Sequence, residues 1–473
     1  MSTSKSASEN LQYYFGDHWP FWVGPIVPQS VSGAAEKMAA LKRVFQSANI
    51  IGECVDNWKD GLISQDFTWY LKGETGDRLD TEGNTTAAAA EIELQRWIDF
   101  AEQMTIQGDP TLSQFKCSDP WSEFVLSLGV TGKAAFRLWQ PEKFANDDDP
   151  IKRIHLHVPK APSVSVERDD DGFLEEIRYS YTGDQEVHRQ DEQGRMVVTV
   201  GDEEMPPIDT GDRWLIQCME CESLLTPQVK ALQNAINHSL TMKLRNNELS
   251  GFREKVFLNA EFPDADMERG PGRDVYLYGI LQGDRNSPTY ANPSVVESQP
   301  VPITTFRESI ELDRVLMYLH FRQGHLLSND GNNISGESRI QMRAGFELYL
   351  KGWKRRVESA ISNVLNIVLK LLGHEGFEVV VELRISTGKL SNEERQSVIG
   401  EFNAGLLSRS TAIATLGTVA DTDAEIALIE EERSEQSAPI AADPLEVDED
   451  DDDDDNDNDD DDDGNPNPVN PQQ

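Results

Sequence analysis

The chain is 473 residues long and carries a formal net charge of −41, with 84 acidic residues against 43 lysines and arginines. Single cores stop growing at roughly 250 to 300 residues, so several modules are expected. A balance this acidic excludes a protein whose main affinity is for nucleic-acid phosphates, and any DNA or RNA is held loosely, by local basic groups, or enclosed without being gripped.

Four cysteines, Cys54, Cys117, Cys218 and Cys221, are too few and too scattered for a disulfide framework, which suits a reducing compartment. The opening MSTSKSASEN lacks an apolar segment, and the stretch AISNVLNIVLKLLG is interrupted by Asn366 and Lys370. The expectation is therefore cytoplasmic synthesis, with neither secretion nor a membrane span.

In chain order, residues 11–33 gather Tyr13, Tyr14, Phe15, Trp19, Phe21 and Trp22 among Gly and Pro. They read as an ordered arm without regular structure, whose aromatics need a surface to bury against. From Met38 the apolar positions Leu41, Phe45, Ala48, Ile51, Val55, Trp58 and Leu62 step by three and four, predicting one continuous helix. A second helix carries Ile92, Trp97, Ala101 and Met104 and stops before Gly108 and Pro110. Between 134 and 200 the period falls to two in RIHLHV, SVSVE, EEIRYSY and RMVVTV, predicting an antiparallel meander. Within it Asp169, Asp170 and Asp171 before Gly172 read as a hairpin turn, because a Ca²⁺ loop needs alternating ligands and a Glu six residues after the Gly.

Helix returns over 223–249, followed at 251–302 by short β-like pieces among many Gly, Pro and Asn. The segment TTFRESIELDRVLMYLHFRQG is helical again, with Phe306, Ile310, Leu316, Leu319 and Phe321 expected near one face. The Gly-, Asn- and Ser-rich GHLLSNDGNNISGES reads as a flexible loop. It feeds the best periodic segment of the chain: Phe346, Leu350, Trp353, Val357, Ile361, Val364, Val368 and Leu371. A helix over 336–372 would be about 50 Å long, more than an ordinary helix of a compact domain. A strand, FEVVVELRI, follows. Two capped helices come next, with Ser391 and Glu394, then Thr422 and Glu425, at capping-box spacing. Residues 443–463 hold sixteen acidic residues and no Lys or Arg, so this tail is expected to be disordered, and without it the balance is about −25.

The usual signatures of chemistry are missing from the sequence. There is no G-x-x-x-x-G-K-[ST] to cradle phosphates, no G-x-S-x-G and no H-E-x-x-H. Cys218 and Cys221 form a C-x-x-C, but a structural zinc needs four ligands, and two buried thiols are the expectation. His155 and His157 share a strand face without a third ligand at matching spacing, so they are read as packed or solvated. Lys351, Lys354, Arg355 and Arg356 read as the wet face of an amphipathic helix. Arg307, Arg314 and Arg322 either face a polyanion or pair with Glu308, Glu311 and Asp313.

Four stretches in this order resemble the portal proteins of tailed double-stranded DNA bacteriophages: SANIIGECVDNWKDGLI, LLTPQVKALQNAINHSL, NISGESRIQMRAGFELYLKGWKRRVESAISNVLNIVLKLLG, and LSNEERQSVIGEFNAGLLSRSTAIATLGTVADTDAEIALIEEE. The resemblance spans roughly residues 11 to 435. It implies an α+β portal-protein fold with α/β wing, helical stem, β-containing clip, long wing-crossing helix and helical crown. The implied divisions are an N-terminal arm (1–37), wing (38–222), first stem helix (223–250), clip (251–303), second stem helix (304–323), tunnel loop (324–337), long helix and wing strand (338–385), crown (386–437) and disordered acidic tail (438–473).

The implied function is a ring of about twelve copies at one capsid vertex, a virion channel for genome packaging and ejection, without catalytic residues, metal or cofactor. Implied partners are double-stranded DNA, the terminase large subunit, head-tail adaptors, and major capsid and scaffold proteins, with no membrane. His325, Ser328, Asn329, Asp330, Asn332, Asn333 and Ser335 would form the tunnel loop. Arg307, Glu311, Arg314 and Arg322 are candidates to face the channel, and Arg269, Arg273, Tyr276, Tyr278 and Arg285 to dock the motor or adaptors. The alternatives are a metal-dependent hydrolase, using the aspartates or the His155 and His157 pair, and an acidic chaperone-like binding protein acting through its tail.

Overall fold

The computed structural model describes residues 2–27, 32–63, 67–73, 76–79, 84–107, 114–115, 117–181, 183–251, 255–261, 278–282, 289–292, 294–297, 302–329, 336–386, 392–416, 425–426 and 428–430. The chain is a mixed α+β protein.

The N-terminal arm is regular, contrary to the expectation: it folds as α1 (Ser2–Phe15) and α2 (Trp19–Ile26). Gly16 turns the chain between them at φ +81°, where a side chain would be strained, and Pro20 lies in the first turn of α2, where its missing N–H costs nothing. Gly16 and Pro20, two of the residues that suggested irregular chain, thus punctuate it, while Gly24 and Pro25 are taken into the last turn of α2. The aromatics find their surface: Tyr13 stacks on Phe21 at 4.7 Å, and Trp19 and Trp22 both meet Phe45.

The single helix predicted from Met38 is two, α3 (Ala34–Val44) and α4 (Ile50–Leu62). Apolar spacing runs through the break because both pieces bury one face, yet Asn49 restarts the helix by accepting a hydrogen bond from the Gly52 N–H at 3.1 Å. Ile51, Cys54, Val55, Trp58 and Leu62 are fully buried.

Next come β1 (Thr68–Lys72) and α5 (Thr85–Gln107), the second helix where expected. Periodicity gave no sign of α6 (Pro120–Thr131), which is buried from Pro120 to Val130. A helix buried all round, with Ser122, Glu123 and Ser127 buried beside its apolar residues, has no single apolar stripe to detect. Its ends were legible: Asp119 accepts from the Ser122 N–H at 2.7 Å, and Gly132 closes it in the left-handed region.

The predicted meander is divided between two sheets. Strands β2 (Lys133–Trp139) and β3 (His155–His157) pair with each other. The five-stranded antiparallel meander then comprises β4 (Val164–Arg168), β5 (Leu174–Tyr181), β6 (Asp184–Gln190), β7 (Met196–Val200) and β8 (Glu203–Glu204) in sequential order. Strand β9 (Ile216–Glu220) returns to β2, giving the order β3-β2-β9. The period-two pattern is the same in both sheets and cannot report which neighbour a strand takes. The aspartate turn is a hairpin: the Asp169 carboxylate accepts from the N–H groups of Asp171 and Phe173, and Gly172 has φ +86°.

Helices α7 (Pro227–Gly251) and α8 (Ile303–His320) bracket the β-rich insert. In it β10 (Lys255–Leu258) pairs with β15 (Ser294–Glu297), β11 (Ala260–Glu261) with β12 (Tyr278–Gly279), and β13 (Leu281–Gln282) with β14 (Thr289–Tyr290). The start of the expected flexible loop is instead a 3₁₀ turn, Gly324–Asn329, because Leu326 and Leu327 pack on the core.

Helix α9 (Gly336–Leu371) has 36 residues, about 54 Å at 1.5 Å per residue. Leu350, Val357, Ile361, Val364 and Val368 are fully buried along it. Strand β16 (Glu378–Glu382) pairs antiparallel with β1, a partner the sequence did not announce. Its other edge is covered by α9. Asn366 accepts from the Val379 N–H at 2.8 Å, Ser362 from Val381 at 3.1 Å and Glu358 from Leu383 at 2.8 Å. Side chains four residues apart thus meet alternate strand amides, so the helix stands in for a missing strand. Helices α10 (Asn392–Asn403) and α11 (Arg409–Leu416) follow. The expected caps at Ser391 and Thr422, and the acidic tail, lie outside the described residues.

Candidate functional site

The α7–α8 hairpin and the insert it carries form the candidate site. Thr226 meets His320 at 3.2 Å and Ser239 meets Ser309 at 3.4 Å, so the two helices run antiparallel and the insert sits at their far end. The near end is anchored by a polar row on α7. Gln233, Asn237 and Thr241 are four residues apart, on one face, and fully buried. They take up the backbone groups released where α3 and α4 separate. Gln233 accepts from the Ile51 N–H at 3.2 Å and donates to the Ala48 carbonyl at 2.5 Å. Asn237 accepts from the Ala48 N–H at 3.3 Å. Thr241 accepts from the Gln46 N–H at 3.1 Å and donates to its carbonyl at 3.3 Å.

This row continues into the N-terminal helices. The Asn237 amide donates to Nδ1 of the buried His18 at 3.0 Å, and His18 Nε2–H donates to the Tyr13 carbonyl at 2.9 Å. These partners define a neutral imidazole, and a proton on Nδ1 would set two donors against each other. Burial lowers the His18 pKa. A depressed histidine contributes stability that is complete above its unfolded pKa of about 6.5 and declines as pH falls below it. Limited proteolysis at falling pH should therefore expose residues 2–26 first below pH 6.5, and His18→Gln should flatten that dependence.

The far side of the hairpin base is held by α8 and the turn after it. The Tyr318 hydroxyl donates to the Glu53 carboxylate, and Gln323 donates to the Cys54 carbonyl at 2.6 Å. Met317 and Tyr318 are the buried residues of α8, and Phe321 beyond its end is buried as well. Leu316 and Leu319, expected on the inner face with Phe306 and Ile310, are instead 43% and 47% exposed, and Leu312 is 59% exposed. The steps of four and three are real, but this row lies on the opposite side of the helix from Phe306 and Met317. One helix therefore carries two apolar faces.

The candidate residues divide accordingly. Arg307 and Glu311 are exposed on α8, Arg322 is exposed at φ +61°, and Arg314 is half-buried with its guanidinium 5.6 Å from the Tyr318 ring centre. His325 is buried, tilted against Phe346 at 5.3 Å. Ser328 and Asn329 belong to the 3₁₀ turn, and Asp330, Asn332, Asn333 and Ser335 lie outside the described residues. Tyr278 is in β12, while Arg269, Arg273, Tyr276 and Arg285 also lie outside. Sequence reasoning singled out none of Gln233, Asn237, Thr241, His18 and Gln323. The signal available was the four-residue repeat of polar side chains inside an otherwise apolar helix face.

The two histidines considered for metal chemistry take other partners. His155 is buried, its Nε2 3.0 Å from the Lys152 carbonyl and its ring against Phe144, while His157 faces Tyr179. Cys218 and Cys221 are free thiols, each pushed up to about 11 by burial. Among the described residues no three His, Cys, Asp or Glu side chains are grouped to hold a metal ion, and no helix is long and apolar enough to cross a membrane.

No protein-family model matches the chain, and no curated protein matches it. Among solved structures, a chain in the neck of an empty gene transfer agent particle, computed with C6 symmetry, has 14% identity and a TM-score of 0.38, covering 80% of this chain and 93% of that one. A chain of the virion of the native gene transfer agent particle has 13% identity and a TM-score of 0.38, covering 80% and 92%. One from the native neck, computed with C12 symmetry, has 14% identity and a TM-score of 0.35, covering 71% and 90%. Superpositions this loose carry no argument about function. What the chain's own geometry defines is an α+β protein built around an antiparallel helical hairpin with a β-rich insert at its far end.

Proposed function

We propose that the chain is the ring subunit of a phage portal, a DNA conduit at one capsid vertex and not an enzyme. The observation that carries the reading is the α7–α8 hairpin. It is fixed to the core at its base, carries the insert at its far end, and exposes Leu312, Leu316 and Leu319 as an apolar row on α8. An apolar row left open by the protomer is covered when copies stack side by side about an axis.

In this reading α7 and α8 are the stem and the β-rich insert is the clip that docks the terminase motor and later the head-tail adaptors. The Gly324–Asn329 turn leads into the tunnel loop, α9 crosses the wing, and α10 and α11 belong to the crown. The acidic balance suits the task. Each phosphate neutralised by Lys or Arg adds salt-dependent affinity that moving DNA would have to overcome, so loose enclosure serves translocation better than grip. The energy for movement comes from the separate motor, consistent with the missing nucleotide loop.

Native mass measurement of the purified full chain tests the reading. A closed assembly near twelve times the 53.0 kDa protomer is expected, and Leu316→Glu should reduce it to protomers without unfolding them. Wild-type chain that stays monomeric at every concentration and salt would defeat the proposal.

A further inference from the structure

The outer face of α9 has features that the protomer does not use. Gly345 and Gly352 lie seven residues apart on one face, and nothing lies within 4 Å of the place a Cβ would occupy at either. Glycine in a helix interior is destabilising relative to alanine, so two such positions favour no isolated helix. Between them Leu348 stands out, 72% exposed. Lys351 and Arg355 flank it, both exposed. Lys354 pairs with Glu358 at 3.4 Å, but among the described residues neither Lys351 nor Arg355 joins an ion pair. Unpaired cations around a protruding leucine are unusual in a chain of net charge −41.

The same chain carries a complementary surface. At one end of the five-stranded meander, Asp184, Asp202, Glu203 and Glu204 are exposed, and Met205 beside them is 43% exposed. Strand β8 is the two-residue edge of that sheet. This end is acidic with one apolar side chain, where the α9 face is basic with one apolar side chain.

We infer that the α9 face of one copy docks the β8 end of the meander of a second copy. The inference rests on the ring reading and deepens it by naming a contact outside the α7–α8 hairpin. Copies this acidic repel one another, and a specific contact forms where a local cluster of cations meets carboxylates. Because the two patches differ, the contact is head-to-tail, the type that closes into rings when its rotation permits. The bare glycines let a partner's edge strand approach the helix backbone, and Leu348 and Met205 supply the apolar centre. Nucleic acid is the less favoured occupant, since phosphates have no use for a protruding leucine between two glycines.

The test uses the full chain in three forms besides wild type: Lys351→Glu with Arg355→Glu, Asp202→Lys with Glu203→Lys, and all four together. All sites are exposed, so thermal unfolding of the protomer should be little changed. Each one-sided pair should raise the concentration needed for half-assembly at least tenfold at physiological salt, and the four-site variant should recover assembly. Wild-type assembly with one-sided variants that assemble equally well would overturn this contact and leave the ring reading standing. Failure of the four-site variant to recover would overturn the pairing. Normal assembly of the α9 variant with loss of salt-dependent binding to a double-stranded DNA fragment would reassign the face to nucleic acid. A wild-type chain that never assembles would remove both the contact and the reading beneath it.

Discussion

Replacing Asn237 with alanine is expected to destabilise the protein by about 3 to 4 kcal/mol, the largest effect of any single change at the hairpin base. The side chain is fully buried and serves three partners: the Ala48 N–H, the Gln233 amide at 3.1 Å and His18 Nδ1. Alanine leaves the Ala48 N–H and His18 Nδ1 without that bond, while the Gln233 amide keeps its bond to the Ala48 carbonyl. Two orphaned groups at roughly 1 to 3 kcal/mol each account for the figure. The damage should be directional. The turn between α1 and α2 loses its His18 tie to α7, although Lys230–Glu9 and Asn234–Tyr13 remain, and the break between α3 and α4 loses part of its backbone satisfaction, so both loosen while α9 and its sheet keep their packing. Urea unfolding reads the total, and hydrogen exchange at residues 45–51 reads the location. An unchanged midpoint, or uniform loss of protection across α9, would contradict this account.

Glu186→Ala is expected to cost about 3 to 5 kcal/mol for a different reason. Arg137 on β2 and Glu186 on β6 tie the two sheets together through a bidentate pair, with Nε 2.9 Å from Oε2, and are 7% and 6% exposed. The guanidinium also lies 4.7 Å from the Trp139 ring centre and 4.9 Å from that of Tyr179. Without the carboxylate it is a buried charge with only aromatic faces around it. Removing both charges, as Arg137→Met with Glu186→Leu, should be far less costly than removing one, because no unpaired ion remains. The pH dependence carries the same information. Burial alone would raise the Glu186 pKa, but the hydrogen bonds from His188 and Arg137, with the guanidinium charge, hold it down to about 2. A depressed carboxylate contributes stability that is complete above the unfolded value of about 4.3 and is lost as pH falls toward the folded value. Wild type should therefore lose stability between about pH 4.5 and 2 more steeply than the Met–Leu variant.

Most helices and strands were legible because their apolar spacing follows from a single buried face. Helix α9 is the clearest example, its periodic residues Leu350, Val357, Ile361, Val364 and Val368 all buried where the three-and-four steps placed them. Reading failed where that premise fails. Helix α6 is buried all round, so it has no stripe. On α8 two apolar rows share one helix, and the row at Leu312, Leu316 and Leu319 is exposed. Sheet membership was also out of reach: β2 and β6 alternate alike, and the Arg137–Glu186 pair that joins their sheets spans 49 residues. The hairpin and its insert could be read from composition and order. The polar row beneath them is visible as Gln233, Asn237 and Thr241, but its task of closing the gap before α4 depends on contacts across more than 180 residues.

A cryo-electron microscopy reconstruction of the purified full chain tests the central claim most directly. The account predicts a closed ring around an open axial channel, with the α7–α8 hairpins of successive copies side by side, their Leu312, Leu316 and Leu319 rows covered, and the β-rich inserts gathered at one end. Particles without a channel, or a ring in which those leucines remain exposed to solvent, would contradict it.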